Sequence, residues 1–249
     1  MALKFYWRCE GTTLDGTHDY SAGDTTASAG SAGAINSDAA RFGTNGIDCP
    51  TASDNMNFAV SGTDLVDPSV GSAAFSFRLV AFVSGQSMMN IRGTNTNDNI
   101  TVTTLGTDDA TGRELRLRYR STSGGAENRT VDTTGANLAE NTWYACVVRW
   151  DATADLIRLE VYDASGTLIE GVTGSTSISV LTDVVGVYWG EVGAVGGSDL
   201  HVDNVFIADA YAEPLEDFLD ITSYTEYGAS GAIINKLSGP FGGPFRKLV

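Results

Sequence analysis

Histidine is nearly missing from this sequence, with two in 249 residues, at His18 and His201. Neither lies in a recognisable nucleophile motif, so general acid–base chemistry lacks its commonest carrier. Proline is scarce at 5 residues, while glycine reaches 29. That contrast fits many strands joined by tight turns, where glycine supplies positive φ. Basic residues number 15 against 31 acidic ones, for a net charge of −16. Such a balance opposes nucleic-acid binding, because phosphates reward Lys and Arg. No apolar run approaches the roughly 18 residues of a membrane-spanning helix. Residues 1–8 also lack the long apolar stretch of a signal peptide. The expectation is synthesis in a host cytoplasm, with neither nucleic acid nor membrane as partner. Cysteines are few and odd in number: Cys9, Cys49 and Cys146. Cys9 and Cys146 sit inside apolar, strand-like runs, so buried free thiols are expected rather than a disulfide framework. Helical periodicity is confined to about one turn at 214–219.

What is present is two-residue alternation. In 74–83, Phe75, Phe77, Leu79, Ala81 and Val83 share one face. In 114–120, Leu115, Leu117 and Tyr119 oppose Arg116, Arg118 and Arg120. Residues 142–151 are apolar on both faces, as in a central strand, with Trp143 and Trp150 on opposite sides. A turn-like gap then leads to a strand at 156–162, predicting a hairpin. Residues 163–166 turn the chain into 167–170. Further strands are expected at 184–191 and 200–208, with weaker candidates at 4–9, 39–42, 57–60, 87–92, 100–105, 129–133 and 221–227. Residues 21–37 read as a surface loop, rich in Ala, Gly, Ser and Thr. No internal repeat is evident, which argues against a propeller or solenoid. The pattern predicts an all-β fold: a two-sheet antiparallel jelly-roll sandwich over 1–227, followed by an irregular arm at 228–249.

The arm is the one basic segment. After Glu226 there is no acid, and Lys236, Arg246 and Lys247 are its charges. Its two Gly-Pro-Phe repeats stop both helix and central strand. Two readings stand open: an arm folded over its own sandwich, or one that docks on a partner through Phe241, Phe245, Arg246 and Lys247.

Several segments, in order, resemble the laminin-G-like branch of the concanavalin A-like lectin and glucanase superfamily. Residues 3–11 look like its first strand, an aromatic pair before an acidic-Gly turn. Residues 75–79 look like its strand of alternating aromatic and polar residues. Residues 141–151 are similar to its Trp-Tyr strand ending in Asp151, and 156–166 to the hairpin that follows. Residues 200–209 match its closing strand, with Asp203 and Asn204 in place. The resemblance covers roughly 3–220. It implies two curved sheets whose concave face or rim loops bind glycans or protein, and calcium in some members. The positions matching that calcium site are Glu10, Asp15, Asp203 and Asn204; no other cofactor is implied. Single-domain chains of this style resemble those carried by tailed phages.

Enzyme chemistry finds little footing. Glycosidases with this sandwich place Glu-x-Asp-x-x-Glu on one strand. Glu160 and Asp163 have the wrong spacing, and Asp203 lacks both flanking Glu. A retaining carboxylate pair could still form across strands. Sugar binding favours aromatic faces beside amides and carboxylates, which makes Tyr188, Trp189 and Glu191 candidates; the alternative is that Tyr188 or Trp189 fills the core. Arg116, Arg118 and Arg120 put three like charges at period two on one face. Either cross-strand carboxylates lie opposite, or the stripe meets an anionic ligand or an acidic neighbour.

The expected function is a non-enzymatic virion surface protein, a phage capsid decoration or fibre-associated protein with a lectin-like fold. Its expected partners are capsid or other virion proteins and further copies of itself as a homo-oligomer. The alternative is a carbohydrate-binding adhesin module with a glycan partner, and the third class is a glycoside hydrolase or lyase.

Overall fold

A computed structural model describes residues 3–7, 9, 20–21, 26–30, 33–51, 54–59, 66–95, 97–107, 112–121, 127–175, 177–182, 184–190 and 199–209. These form sixteen strands and no helix. The first six are β1 (Leu3–Trp7), β2 (Tyr20–Ser21), β3 (Thr26–Gly30), β4 (Ala34–Asn36), β5 (Gly46–Cys49) and β6 (Asn55–Ala59). Next come β7 (Val70–Leu79), β8 (Ser87–Gly93), β9 (Asn99–Gly106), β10 (Arg113–Ser121) and β11 (Glu127–Asp132). The last five are β12 (Trp143–Asp151), β13 (Leu156–Asp163), β14 (Leu168–Ser175), β15 (Val184–Gly190) and β16 (Leu200–Ala208).

Two antiparallel sheets result. One runs β14-β13-β12-β7-β16-β1-β2 and gains β5 and β4 beside β16; the other runs β11-β10-β9-β8-β15-β6-β3. The alternating apolar positions meet between them. From the first sheet come Phe75, Phe77, Cys146, Val148, Trp150, Leu159 and Val202, and from the second Met89, Ile91, Val102, Leu117, Tyr119 and Val187, all buried. All three cysteines are buried free thiols, and burial pushes the Cys146 thiol well above its ordinary value. Trp150 enters the core and donates from Nε1 to Asp67 O at 3.0 Å. Trp143, on the opposite face, packs under the Arg78 guanidinium at 5.2 Å.

The expected β12–β13 hairpin forms in register from Tyr144–Asp163 to Asp151–Leu156. The strand placed at 74–83 instead starts at Val70 and ends at Leu79. The Val80 N–H still bonds to Asp199 O in the same register, but the alternation is lost beyond it: Ala81 is exposed while Phe82 is buried. No strand forms at 39–42, which is held as a loop by side-chain contacts described below. The segment at 21–37, read as a loop, contains β3 and β4. The small residues of β3 give no hydrophobic period, and β4 has only Ile35 to pack on the core; both pair along the backbone, with β6 and β5. The expected one-turn helix at 214–219, the strand at 221–227 and the arm at 228–249 lie outside the described residues.

Candidate functional site

The second sheet turns one side to the core and the other outward. On its outer side, strand register lines up polar residues across five strands. Arg118 on β10 faces Thr130 on β11 and Thr101 on β9. Thr101 faces Asn90 on β8, and Asn90 faces Tyr188 on β15. Beside this row, Arg120 lies between Asn128 and Asn99, Asn99 faces Arg92, and Arg92 faces Gly186. On the other side, Arg116 lies between Asp132 and Thr103, and Thr103 faces Ser87. Alternation produces this face: Arg116, Arg118, Thr101, Asn90 and Tyr188 are each the neighbour in sequence of a core residue.

The arginines are not equivalent. Arg116 donates from Nε and Nη2 to the two carboxylate oxygens of Asp132, both at 2.7 Å. This bidentate bond raises Arg116 above its ordinary pKa. Arg118 has only threonines opposite, and its Nε is buried without a hydrogen-bond partner. Burial, and then the charges of Arg120 and Arg116, lower it from its ordinary value. Among the described residues, cross-strand carboxylates therefore account for Arg116 but not for Arg118 or Arg120. Next to Arg118 along the row, Thr101 donates its hydroxyl to Asn99 Oδ1 at 3.1 Å. Asn90 is 9% exposed, and its Oδ1 is buried without a partner, as is the Ser87 hydroxyl. Tyr188 is half-buried, and the register continues from it to Asn57 on β6.

Trp189 takes the opposite side of β15. It is fully buried and stacks on Phe5, with centroids 5.7 Å apart and planes 19° apart. The reading of Tyr188 and Trp189 as joint sugar contacts is corrected here: period-two geometry sends adjacent residues to opposite faces. Gly190 ends the strand at φ 100°, where a Cβ would stand 2.6 Å from both Asp54 O and Cys49 Sγ. Glu191 lies outside the described residues, as do Phe241, Phe245, Arg246 and Lys247.

Of the four positions matched to calcium, Glu10 and Asp15 are also outside the described residues. Asp203 occupies the break in β16, where the register to β7 shifts between Asp203 and Phe206 and Asn204 adopts φ 49°. Asp203 Oδ2 accepts the N–H groups of Arg41 and Phe42 at 2.8 and 2.9 Å, and Oδ1 accepts Asn204 N–H at 2.7 Å. Arg41 then reaches Ser76 Oγ at 2.7 Å and Ala164 O at 2.9 Å. The carboxylate thus pins the 39–42 loop, and its oxygens point at donors. A calcium ion needs about six to eight oxygens converging on it; in the described residues the Asp203 carboxylate is engaged by three N–H donors instead.

Among the described residues, one group has metal-like spacing: Asp48, Asp199 and His201, whose ligand atoms lie within 4.8 Å of one another. The arginine beside it, Arg78, opposes a further cation. Arg78 donates to His201 Nδ1, so the ring proton sits on Nε2. Nε2 faces Asp48 and Asp199 oxygens at 3.4 and 3.3 Å. A nitrogen that carries a proton is no metal ligand. The two carboxylate oxygens that face the ring, Asp48 Oδ1 and Asp199 Oδ1, are buried without a hydrogen-bond partner, and the imidazole stands where a glycosidase pair would hold a sugar.

Reading strands one at a time could not find Asn90, Arg92, Thr101 and Thr130. Each is an ordinary outward polar position, and only cross-strand register makes them one surface.

No protein-family model matches the chain, and no curated protein matches it in sequence. Solved structures do share its architecture. The receptor binding domain of botulinum neurotoxin D aligns with a TM-score of 0.60 at 10% identity, over 89% of this chain and 51% of that one. The type G receptor binding domain aligns at 0.59 and 10%, over 88% and 50%. A third is a structure of botulinum neurotoxin type C, whose cell entry depends on interaction with two ganglioside molecules. It aligns at 0.60 and 10%, over 90% and 52%. The chain spans about half the length of these solved chains. At this identity the likeness is one of fold: an all-β, two-sheet antiparallel sandwich.

Proposed function

We propose that this chain is a non-catalytic carbohydrate-binding module that presents the outer face of its seven-stranded sheet to a glycan. The observation that carries this reading is the row Thr130, Arg118, Thr101, Asn90 and Tyr188, continuous across five strands. A sugar offers hydroxyls that need paired donors and acceptors, and C–H faces that pack on aromatic rings. The row supplies an aromatic, an amide, hydroxyls and a guanidinium within a few strand spacings of about 4.8 Å. The buried, unpartnered Asn90 Oδ1 is an acceptor that a ligand hydroxyl would satisfy. Neighbouring folds lend support, since they are receptor-binding domains and one belongs to a toxin that interacts with gangliosides.

A glycan array probed with the full chain and with Tyr188→Ala tests the proposal. Binding by the parent that is lost in the folded variant supports it. Silence across a broad array, or identical binding by both proteins, removes this face as the site.

The virion-surface setting, with capsid proteins or further copies as partners, is the finer form of the proposal. It rests on the sequence resemblance and on the basic arm. Electron microscopy of particles made with and without the gene tests it; unchanged particle density counts against it.

A further inference from the structure

We infer that the ligand of this face is an acidic glycan, one carrying a carboxylate or sulfate group, with Arg118 as its anchor and Arg92 and Arg120 beside it. The inference rests on the carbohydrate-binding reading and deepens it. It starts from a local reversal of charge. The chain as a whole carries 31 acidic residues against 15 basic ones. Among the described residues on the rows around Arg118, Arg92, Arg116, Arg118 and Arg120 meet a single carboxylate, Asp132, which is already spent on Arg116. Glu114, the next outward residue on β10, is committed elsewhere. It accepts the Thr133 hydroxyl at 2.6 Å and the Ala136 N–H at 3.0 Å.

Arg118 thus keeps its charge among like charges, half-buried, with Nε unsatisfied. An unpaired guanidinium in that position is costly unless an anion completes it. A planar carboxylate or a sulfate matches the guanidinium fork. Asn90 provides the independent sign of a ligand. It lies two strand spacings from Arg118, about 10 Å, and its Oδ1 is aimed at no donor in the protein. The acid would sit at Arg118, and a neighbouring sugar hydroxyl would reach Asn90. An extended polyanion is disfavoured, because it would run from this patch onto an acidic body. A single acidic sugar in a short glycan avoids that repulsion.

The test compares matched pairs on one array: sialylated, glucuronate-bearing and sulfated oligosaccharides, each beside its desialylated, neutral or unsulfated partner. The full chain, Arg118→Ala and Arg118→Lys are probed at low and physiological salt, with circular dichroism and thermal melts confirming the fold. Expected is a preference of about tenfold or more for an acidic member. It should be lost in Arg118→Ala, partly kept in Arg118→Lys, and weakened by salt. Equal binding to acidic and neutral partners, unchanged by Arg118→Ala, would overturn the inference and leave the face a neutral-glycan site. Absence of binding to any glycan overturns the inference and the reading beneath it together.

Discussion

Arg78 donates from Nε to Nδ1 of His201 at 3.2 Å, and so fixes which ring nitrogen keeps the proton. The pair sits at matched positions of β7 and β16. His201 is lowered from its ordinary 6.5, first by burial and then by Arg78, while Asp48, Asp199 and Asp38 pull the other way. The unfolded chain therefore takes up this proton before the folded one. Stability from a neutral His201 is present above about pH 6.5 and is lost as pH falls from there toward the folded value. Asp199 is raised, chiefly by burial, and works in the opposite sense at lower pH. Urea unfolding at a series of pH values should show the parent losing stability faster than His201→Gln between roughly pH 7 and 5.5. Parallel slopes would remove His201 from the account.

Asp203→Ala should destabilise the chain by about 2–3 kcal/mol, since three N–H groups lose one buried acceptor. The 39–42 loop should become the first site of proteolysis. Because that carboxylate already faces N–H donors, EDTA should leave the melting temperature of the parent unchanged. A fall of several degrees on chelation would restore a cation to the structure.

Gly71 lies across from Trp150 in the β7–β12 pair, and a Cβ there would stand 2.3 Å from Trp150 Cζ2. The indole is fully buried and tied to Asp67 O. Gly71→Ala should therefore cost about 1–3 kcal/mol through overpacking, read as a lower urea midpoint with the slope unchanged. A neutral result would mean that the ring has room to shift.

Glu160 holds two guanidinium groups. It pairs with Arg149, which is fully buried, and accepts Arg158 Nε at 2.8 Å. Glu160→Gln should destabilise by about 3 kcal/mol or more, because Arg149 loses this carboxylate in a water-free setting. Arg158→Ala, on the more accessible side of the same carboxylate, should cost less, about 1 kcal/mol, since Arg158 itself is partly solvated. Equal losses in denaturant titrations would refute this ranking.

The fold was legible where side chains carry a period. Arg113–Ser121, Trp143–Asp151 and Leu200–Ala208 announce themselves because every second residue is large and apolar, or because both faces are. Thr26–Gly30 was not legible, since Ala, Ser and Gly leave no such trace, and Ala34–Asn36 is too short to show a period around its one large apolar residue, Ile35. At the site, the unusual feature of Arg116, Arg118 and Arg120 was visible from spacing. Which of the three has a carboxylate opposite was not, because Asp132 reaches Arg116 through register. Trp189 misled for a related reason: an aromatic beside Tyr188 suggests a shared surface, yet neighbours on a strand point apart.

β1 and β16 lie side by side, Leu3 against Ala208 and Trp7 against Val205, although about two hundred residues of chain separate them. A ribosome releases the first of these strands long before it has made the second. Through most of synthesis, one edge of Leu3–Trp7 waits with its backbone groups unsatisfied, and the middle of a sheet stands open. Closure of this sheet therefore waits until Leu200–Ala208 has been made, and is slow by nature, since so distant a pairing has no local turn to guide it. A cell that makes it in quantity must shelter that waiting edge.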